Sequence, residues 1–190
     1  SVACADMGER GEDFVFFGDV EQVLVGEEEA QRGLESLLGH MAHDPELRLE
    51  AELWVVRGAE AADLLLEAGE GESLPDRLSA MSRNAELLGG PRPQMARGAL
   101  TDLLENGATL LPALERREAE DGQGAQGEYV LVTAGYAVIR DGVLQGFTDE
   151  TAAFGADLLR SVGKGQILEL SGPDRGYTAL KITGVKTTFR

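Results

Sequence analysis

His40 and His43 stand three residues apart with Asp44 beside them, close enough on one helical turn to share a metal ion. Two nitrogens and one carboxylate are a thin ligand set. The chain offers only 2 His and 1 Cys in 190 residues, so nothing completes a soft site. Histidines at a helix end more commonly bind the last free carbonyls, and no metal is expected. Gly122-Gln123-Gly124-Ala125-Gln126-Gly127 matches the string G-x-G-x-x-G. That string cradles a pyrophosphate when it follows a strand and opens a helix. Here it lies in a polar stretch and precedes a strand-like segment, which reads as a flexible loop. No G-x-S-x-G, phosphate-binding loop or H-E-x-x-H occurs.

The chain carries 34 Asp and Glu, so close acidic pairs arise without selection. Glu27-Glu28-Glu29 and Asp149-Glu150 fit solvated helix starts, where acids meet the positive end of the dipole, better than acid/base pairs. Trp54, the single tryptophan, lies in the apolar run 53–56 and reads as core before it reads as a stacking platform. No catalytic, cofactor-binding or metal-binding residue is assigned.

The net charge is -17, with 17 Lys and Arg. Nucleic-acid affinity comes mostly from cations displacing counterions, so nucleic acid is excluded as an expected partner. The charge is uneven: residues 1–163 sum to -20, while residues 164–190 sum to +3 and hold all three lysines, Lys164, Lys181 and Lys186. One cysteine, Cys4, cannot close an internal disulfide, so packing alone must hold the fold. No run reaches the ~20 apolar residues of a membrane span. With 43% hydrophobic residues the chain can build a core.

Periodicity places the elements. Residues 14–25 hold two short apolar runs broken at Gly18-Asp19 and read as strands. From Glu27 the period changes to three and four through Ala30, Leu34, Leu37, Leu38 and Met41, predicting one helix that ends near Asp44-Pro45. Residues 46–57 alternate and then become continuously apolar, predicting a strand that enters a covered sheet. Short helices are expected over 59–68 and, with Ser73 as cap and Pro75 in the first turn, up to Leu88. Gly69-Glu70-Gly71 reads as a hinge or turn between them. Gly89-Gly90-Pro91-Arg92-Pro93 ends that helix and makes the chain extended, so a domain boundary is placed there.

Beyond it come a helix over 97–106 stopped by Gly107, a strand over 109–115 and a polar loop over 118–127. A hairpin follows over 129–147 with Asp141-Gly142 as its turn, then a helix over 149–161 with Ala152, Phe154, Leu158 and Leu159 inward. Two closing strands are expected over 166–170 and 177–189. The expected fold class is α+β: two small domains, 1–90 and 91–190, each a mixed β-sheet packed with helices.

The order of segments resembles the Ger(x)C spore germination proteins, the lipoprotein C subunits of germinant receptors. Phe17-Gly18-Asp19-Val20 through Val25-Gly26-Glu27-Glu28-Glu29-Ala30 is similar to the family's strand and glycine leading into a Gly-Glu-Glu-x-Ala helix. His43-Asp44-Pro45-Glu46-Leu47-Arg48 resembles its Arg-Asp-Pro-Glu-hydrophobic-Arg stretch, with His43 standing where the family usually has Arg. Trp54-Val55-Val56-Arg57-Gly58 and Leu103-Leu104-Glu105-Asn106-Gly107 with Leu111-Pro112 continue the likeness. The most specific block is Gly135-Tyr136-Ala137-Val138-Ile139, the turn, and Thr148-Asp149-Glu150-Thr151, like the family's Gly-x-Ala-Val-Phe hairpin and Asp-Glu-Glu-Thr helix start.

The resemblance implies a non-enzymatic subunit without cofactor. It implies a lipid-anchored protein at the outer face of the spore inner membrane, where the membrane subunits of the germinant receptor are its partners. It leaves a small-molecule germinant open. Cys4 is the candidate lipid anchor, but it lacks the family's Leu three places before it, and a free side chain near the chain end is the preferred reading of the residues. Part of the family's first domain and its second are expected here, with its third domain lying outside. The competing expectation is a small soluble enzyme or ligand-binding module with its site between the two halves, near 89–93. A deep pocket there with converging, perturbed carboxylates would favour it.

Overall fold

The computed structural model describes residues 19–66, 73–118, 129–171 and 177–188. Strand β1 (Gln22–Gly26) is followed by helices α1 (Glu27–Arg32) and α2 (Glu35–His43), and then strand β2 (Glu52–Arg57) lies parallel beside β1. Helices α3 (Ala61–Leu66) and α4 (Leu74–Leu88), strand β3 (Gln94–Met95) and helix α5 (Ala96–Asn106) lead to β4 (Ala108–Glu118), which is parallel to β2 on its other side. The short β3 pairs antiparallel with the start of β2. Strands β5 (Tyr129–Arg140) and β6 (Val143–Phe147) extend the sheet antiparallel from β4, giving the order β1-β2-β4-β5-β6. The fold is α+β with a mixed sheet, as the sequence suggests. Helix α6 (Glu150–Leu159) and a separate two-stranded ribbon, β7 (Ile167–Ser171) with β8 (Tyr177–Lys181), complete the described chain.

Strand β2 is covered on both faces, which explains its unbroken apolar run. Leu53 and Val55 face one core with Ala30, Leu38, Met41, Ala96 and Ala99 from α1, α2 and α5 and with Leu34 between α1 and α2. Trp54 and Val56 face the other, with Leu64, Leu74 and Leu78 from α3 and α4. The six-stranded sheet therefore crosses the Gly89–Pro93 break, because β2 before it pairs with β3 and β4 after it. The break expected to separate two sheets is instead a loop running over one.

Several element ends differ from the periodicity reading, each for a tertiary reason. The helix expected from Glu27 to Asp44 is interrupted at Gly33, whose φ of 123° is open to glycine. The Leu34 N–H donates to the carbonyl of Gly142, so the tip of the β5–β6 hairpin docks into the gap. The strand expected from residue 46 begins at Glu52, opposite Gln22 where β1 begins; before that point no strand among the described residues pairs with it. The strand expected to reach residue 189 stops at Lys181, opposite Ile167, where β7 begins. Beyond it the chain returns to α6, and Thr187 donates from its hydroxyl to the Leu158 carbonyl.

Other elements fall where expected. Ser73 caps α4 by accepting from the Asp76 N–H, with Pro75 in the first turn. Gly107 ends α5 at φ 68°. Asp141 and Gly142 turn the hairpin with φ of 50° and 77°, the left-handed pair such a tight turn needs. The strand reading of residues 14–17, the turn at 69–71 and most of the 118–127 loop fall outside the described residues.

Candidate functional site

The Gly89–Pro93 loop, β5, α6 and the residue before β7 line an open-sided pocket of about 290 Å3 that includes Gly89, Gly90, Thr133, Glu150, Asp157 and Gln166. Gly135 brings these pieces together. At φ 78° it lets β5 bend so that the Tyr136 N–H donates to the Thr148 hydroxyl oxygen and the Thr148 N–H returns to the Tyr136 carbonyl. A Cβ at Gly135 would strike the Thr148 carbonyl oxygen. Helix α6 then starts at once, with the Asp149 carboxylate accepting from the Ala152 N–H.

Tyr136 is the hub. Its hydroxyl donates to Asp157 Oδ1 at 2.7 Å and accepts from the Arg92 N–H at 2.7 Å, tying sheet, helix and loop through one atom. Gln166 Nε2 approaches Asp157 Oδ2 at 3.4 Å. Asp157 is 1% exposed. Burial raises its carboxyl above the usual value, opposed by the Tyr136 hydrogen bond and by the nearby Arg160 and Arg92 charges. Burial likewise raises the Tyr136 phenol, with the bond from Arg92 acting the other way.

An acid/base site needs a shifted group that can reach a substrate. Asp157 is sealed and spends its oxygens on Tyr136 and Gln166, while Glu150 at the rim is exposed. The junction contains one buried carboxylate rather than a converging pair, and its bonds strap three segments together.

The remaining candidates are dispersed. His43 Nδ1 lies 2.7 Å from the Gly39 carbonyl of its own helix, and His40 Nε2 is 3.7 Å from Asp44. No group of three or more potential metal ligands occurs among the described residues. Glu27 accepts from the Gly58 N–H at 2.8 Å, while Glu28 and Glu29 pair with Arg32. An open groove of about 740 Å3 lies here, beyond the carboxyl ends of β1 and β2, where an α/β sheet often holds its ligand. The Glu27 carboxylate on the Gly58 N–H takes the place an anionic ligand would need. Trp54 is fully buried in the core, its indole N–H without a partner. Cys4 and Gly122 to Gly127 lie outside the described residues.

Tyr136, Asp157 and Gln166 were not singled out by spacing. The buried face of α6 is also turned from the expected one: Ala153 and Asp157 are buried, Ala152 is exposed, and Leu159 is 59% exposed. The signal was an Asp one turn below Ala153 and Phe154, readable only with the Tyr136 hydroxyl in view.

A family described as the spore germination protein N-terminal domain matches residues 1–116, from the N-terminus to within β4. The chain belongs to this family. The match takes in both parallel crossovers and most residues of the two cores on β2, while the Tyr136 and Asp157 strap lies beyond it. No curated protein matches the sequence. A solved structure, described as the crystal structure of the GerBC protein, is similar over 80% of this chain and 41% of its own, with a TM-score of 0.49 and 18% identity. The chain thus spans about two fifths of that protein's length.

Proposed function

We propose that this chain is part of a non-enzymatic subunit of a nutrient germinant receptor, acting in spore germination through protein–protein contacts. The observation that carries this reading is the match of residues 1–116 to the spore germination family. The resemblance of the β5–β6 hairpin and the start of α6 to the receptor C subunits agrees with it. At the junction Asp157, the buried carboxylate among the described residues, is engaged by the fold's own groups.

The proposed place of action is the outer face of the spore inner membrane, beside the receptor's membrane subunits, with a lipid anchor on the whole protein. No helix among the described residues is long and apolar enough to cross a membrane. With a net charge of -17 most of the surface would be repelled by anionic headgroups, so attachment must come from lipid or from protein partners. The test is genetic and biochemical together. Removing the gene should abolish nutrient-triggered germination, and the tagged protein should recover the membrane subunits from spore membranes. Normal nutrient germination in the deletion strain would overturn the reading.

A further inference from the structure

Gly107 is held on both sides by backbone bonds. Its N–H donates to the Leu103 carbonyl at 3.0 Å, closing α5, and its carbonyl accepts from the Asp141 N–H at 2.8 Å. Asp141 and Gly142 form the hairpin tip, and the Gly142 carbonyl in turn accepts from the Leu34 N–H at the start of α2. The end of α5, the tip and α2 are thus joined in series.

The residue before Gly107 carries the chemistry. Asn106 is one of two asparagines in the chain, and the only one followed by glycine. Glycine sets no side chain beside its own nitrogen, so that nitrogen can reach the side-chain carbonyl carbon of a preceding asparagine. Once the Gly107 nitrogen gives its proton to solvent base, it attacks Asn106 Cγ. A bond forms between the two, the Cγ–Nδ2 bond breaks, and ammonia leaves with a proton from water, closing a succinimide. Water then opens the ring. Opening at Cγ leaves an aspartyl residue at position 106, and opening at the backbone carbonyl leaves an isoaspartyl residue, whose main chain is one carbon longer.

The fold restrains this reaction without abolishing it. The Gly107 N–H must leave the Leu103 carbonyl before its nitrogen can turn on Asn106, so the last turn of α5 has to open first. That turn is poorly secured: Leu104, Glu105 and Asn106 are exposed, no basic residue meets the negative end of the dipole, and Glu105 stands there instead. The product makes closing harder. A carboxylate at position 106 adds charge beside Glu105 and near Asp141, whose Oδ1 lies 3.3 Å from where a Cβ on Gly107 would stand. The longer isoaspartyl main chain also moves the Gly107 carbonyl off the Asp141 N–H.

We propose that Asn106 with Gly107 is a site of spontaneous deamidation, opened by fraying of the last turn of α5, and that its product releases the β5–β6 tip from that helix. The proposal concerns the chain's own chemistry, so it and the receptor reading can fail separately.

The purified chain is held in mildly alkaline buffer beside a synthetic peptide of residues 103–110. Mass spectrometry follows the tryptic fragment 98–116, and enzymatic methylation reports isoaspartate. Both samples should gain the mass of an amide turned acid at position 106, the folded chain about tenfold or more slowly because the turn must open. Asn84, inside α4 and followed by Ala85, should stay intact. Urea below the unfolding transition should speed the folded chain. Gly142→Val, which forces a β-branched residue to a φ of 77°, should speed it too by loosening the tip, with circular dichroism checking that the variant folds. The modified chain, separated by its added charge, should exchange the Asp141 amide faster than the unmodified one.

A folded chain that stays unmodified while the peptide is consumed would overturn the site. Reaction as fast as in the peptide, or unmoved by urea, would overturn the gate. A mass gain that persists in Asn106→Gln would place the change elsewhere and sink the assignment. Unchanged exchange at Asp141 after modification would overturn the release of the tip.

Discussion

At the residue scale the fold turns on Tyr136. One hydroxyl satisfies the Arg92 N–H and the Asp157 carboxyl together, so its removal leaves a half-buried N–H and a buried carboxylate oxygen short of a partner. Tyr136→Phe should cost roughly 1–3 kcal/mol in chemical denaturation, in line with the penalty for unsatisfied buried groups. A loss below the error of the measurement would remove the strap from the account. Asp157 gives a pH signature. Its carboxyl is raised above the ordinary 3.8, so the folded state holds the proton more firmly than the unfolded one. The resulting stabilisation is complete below 3.8 and is lost as pH rises through the raised value. Compared with Asp157→Asn, the wild type should therefore lose stability in the interval just above 3.8, a difference that denaturation at stepped pH would read.

Gly135 belongs to the same scale. Its φ of 78° and the Thr148 carbonyl facing it leave no room for a methyl group. Gly135→Ala should destabilise by about 2 kcal/mol or more, since a non-glycine residue in this region carries strain of order 1–3 kcal/mol before the clash is added. Gly135 is legible in the sequence only through a family likeness, because nothing local announces that its neighbour in space is Thr148.

At the element scale the sequence was readable wherever a local rule sufficed. Ser73 and Pro75 start α4, Gly107 stops α5 and Asp141-Gly142 turns the hairpin as their chemistry requires. Ser73→Ala and Asp149→Ala should each cost about 1 kcal/mol as lost N-caps, and thermal melts compare them directly. Where a partner element decides the matter, periodicity ran past the true ends. The apolar spacing from Ala30 to Met41 continues through Gly33, but the Gly142 carbonyl claims the Leu34 N–H and splits the helix. The strand readings of 46–51 and 182–188 have suitable residues but no strand to pair with among the described residues. The inward face of α6 was misplaced because Asp157 looks like a surface residue until Tyr136 is placed over it.

At the scale of the whole molecule, one sheet unites residues on both sides of the Gly89–Pro93 loop. Trp54 reports the part before the loop, and its full burial should give a blue-shifted emission that moves red on unfolding. Because β2 pairs across the loop, that change should coincide with the loss of β-structure seen by circular dichroism. Two separated transitions would restore independent halves.

The central claim is that the chain serves a germinant receptor by binding its membrane subunits. Affinity purification of the tagged protein from dormant-spore membranes, with the recovered proteins identified by mass spectrometry, tests it most directly. The account predicts that the receptor's membrane subunits are recovered in stoichiometric amounts and are absent from an untagged control. Recovery of the tagged protein alone, under conditions that keep the receptor intact, would contradict it.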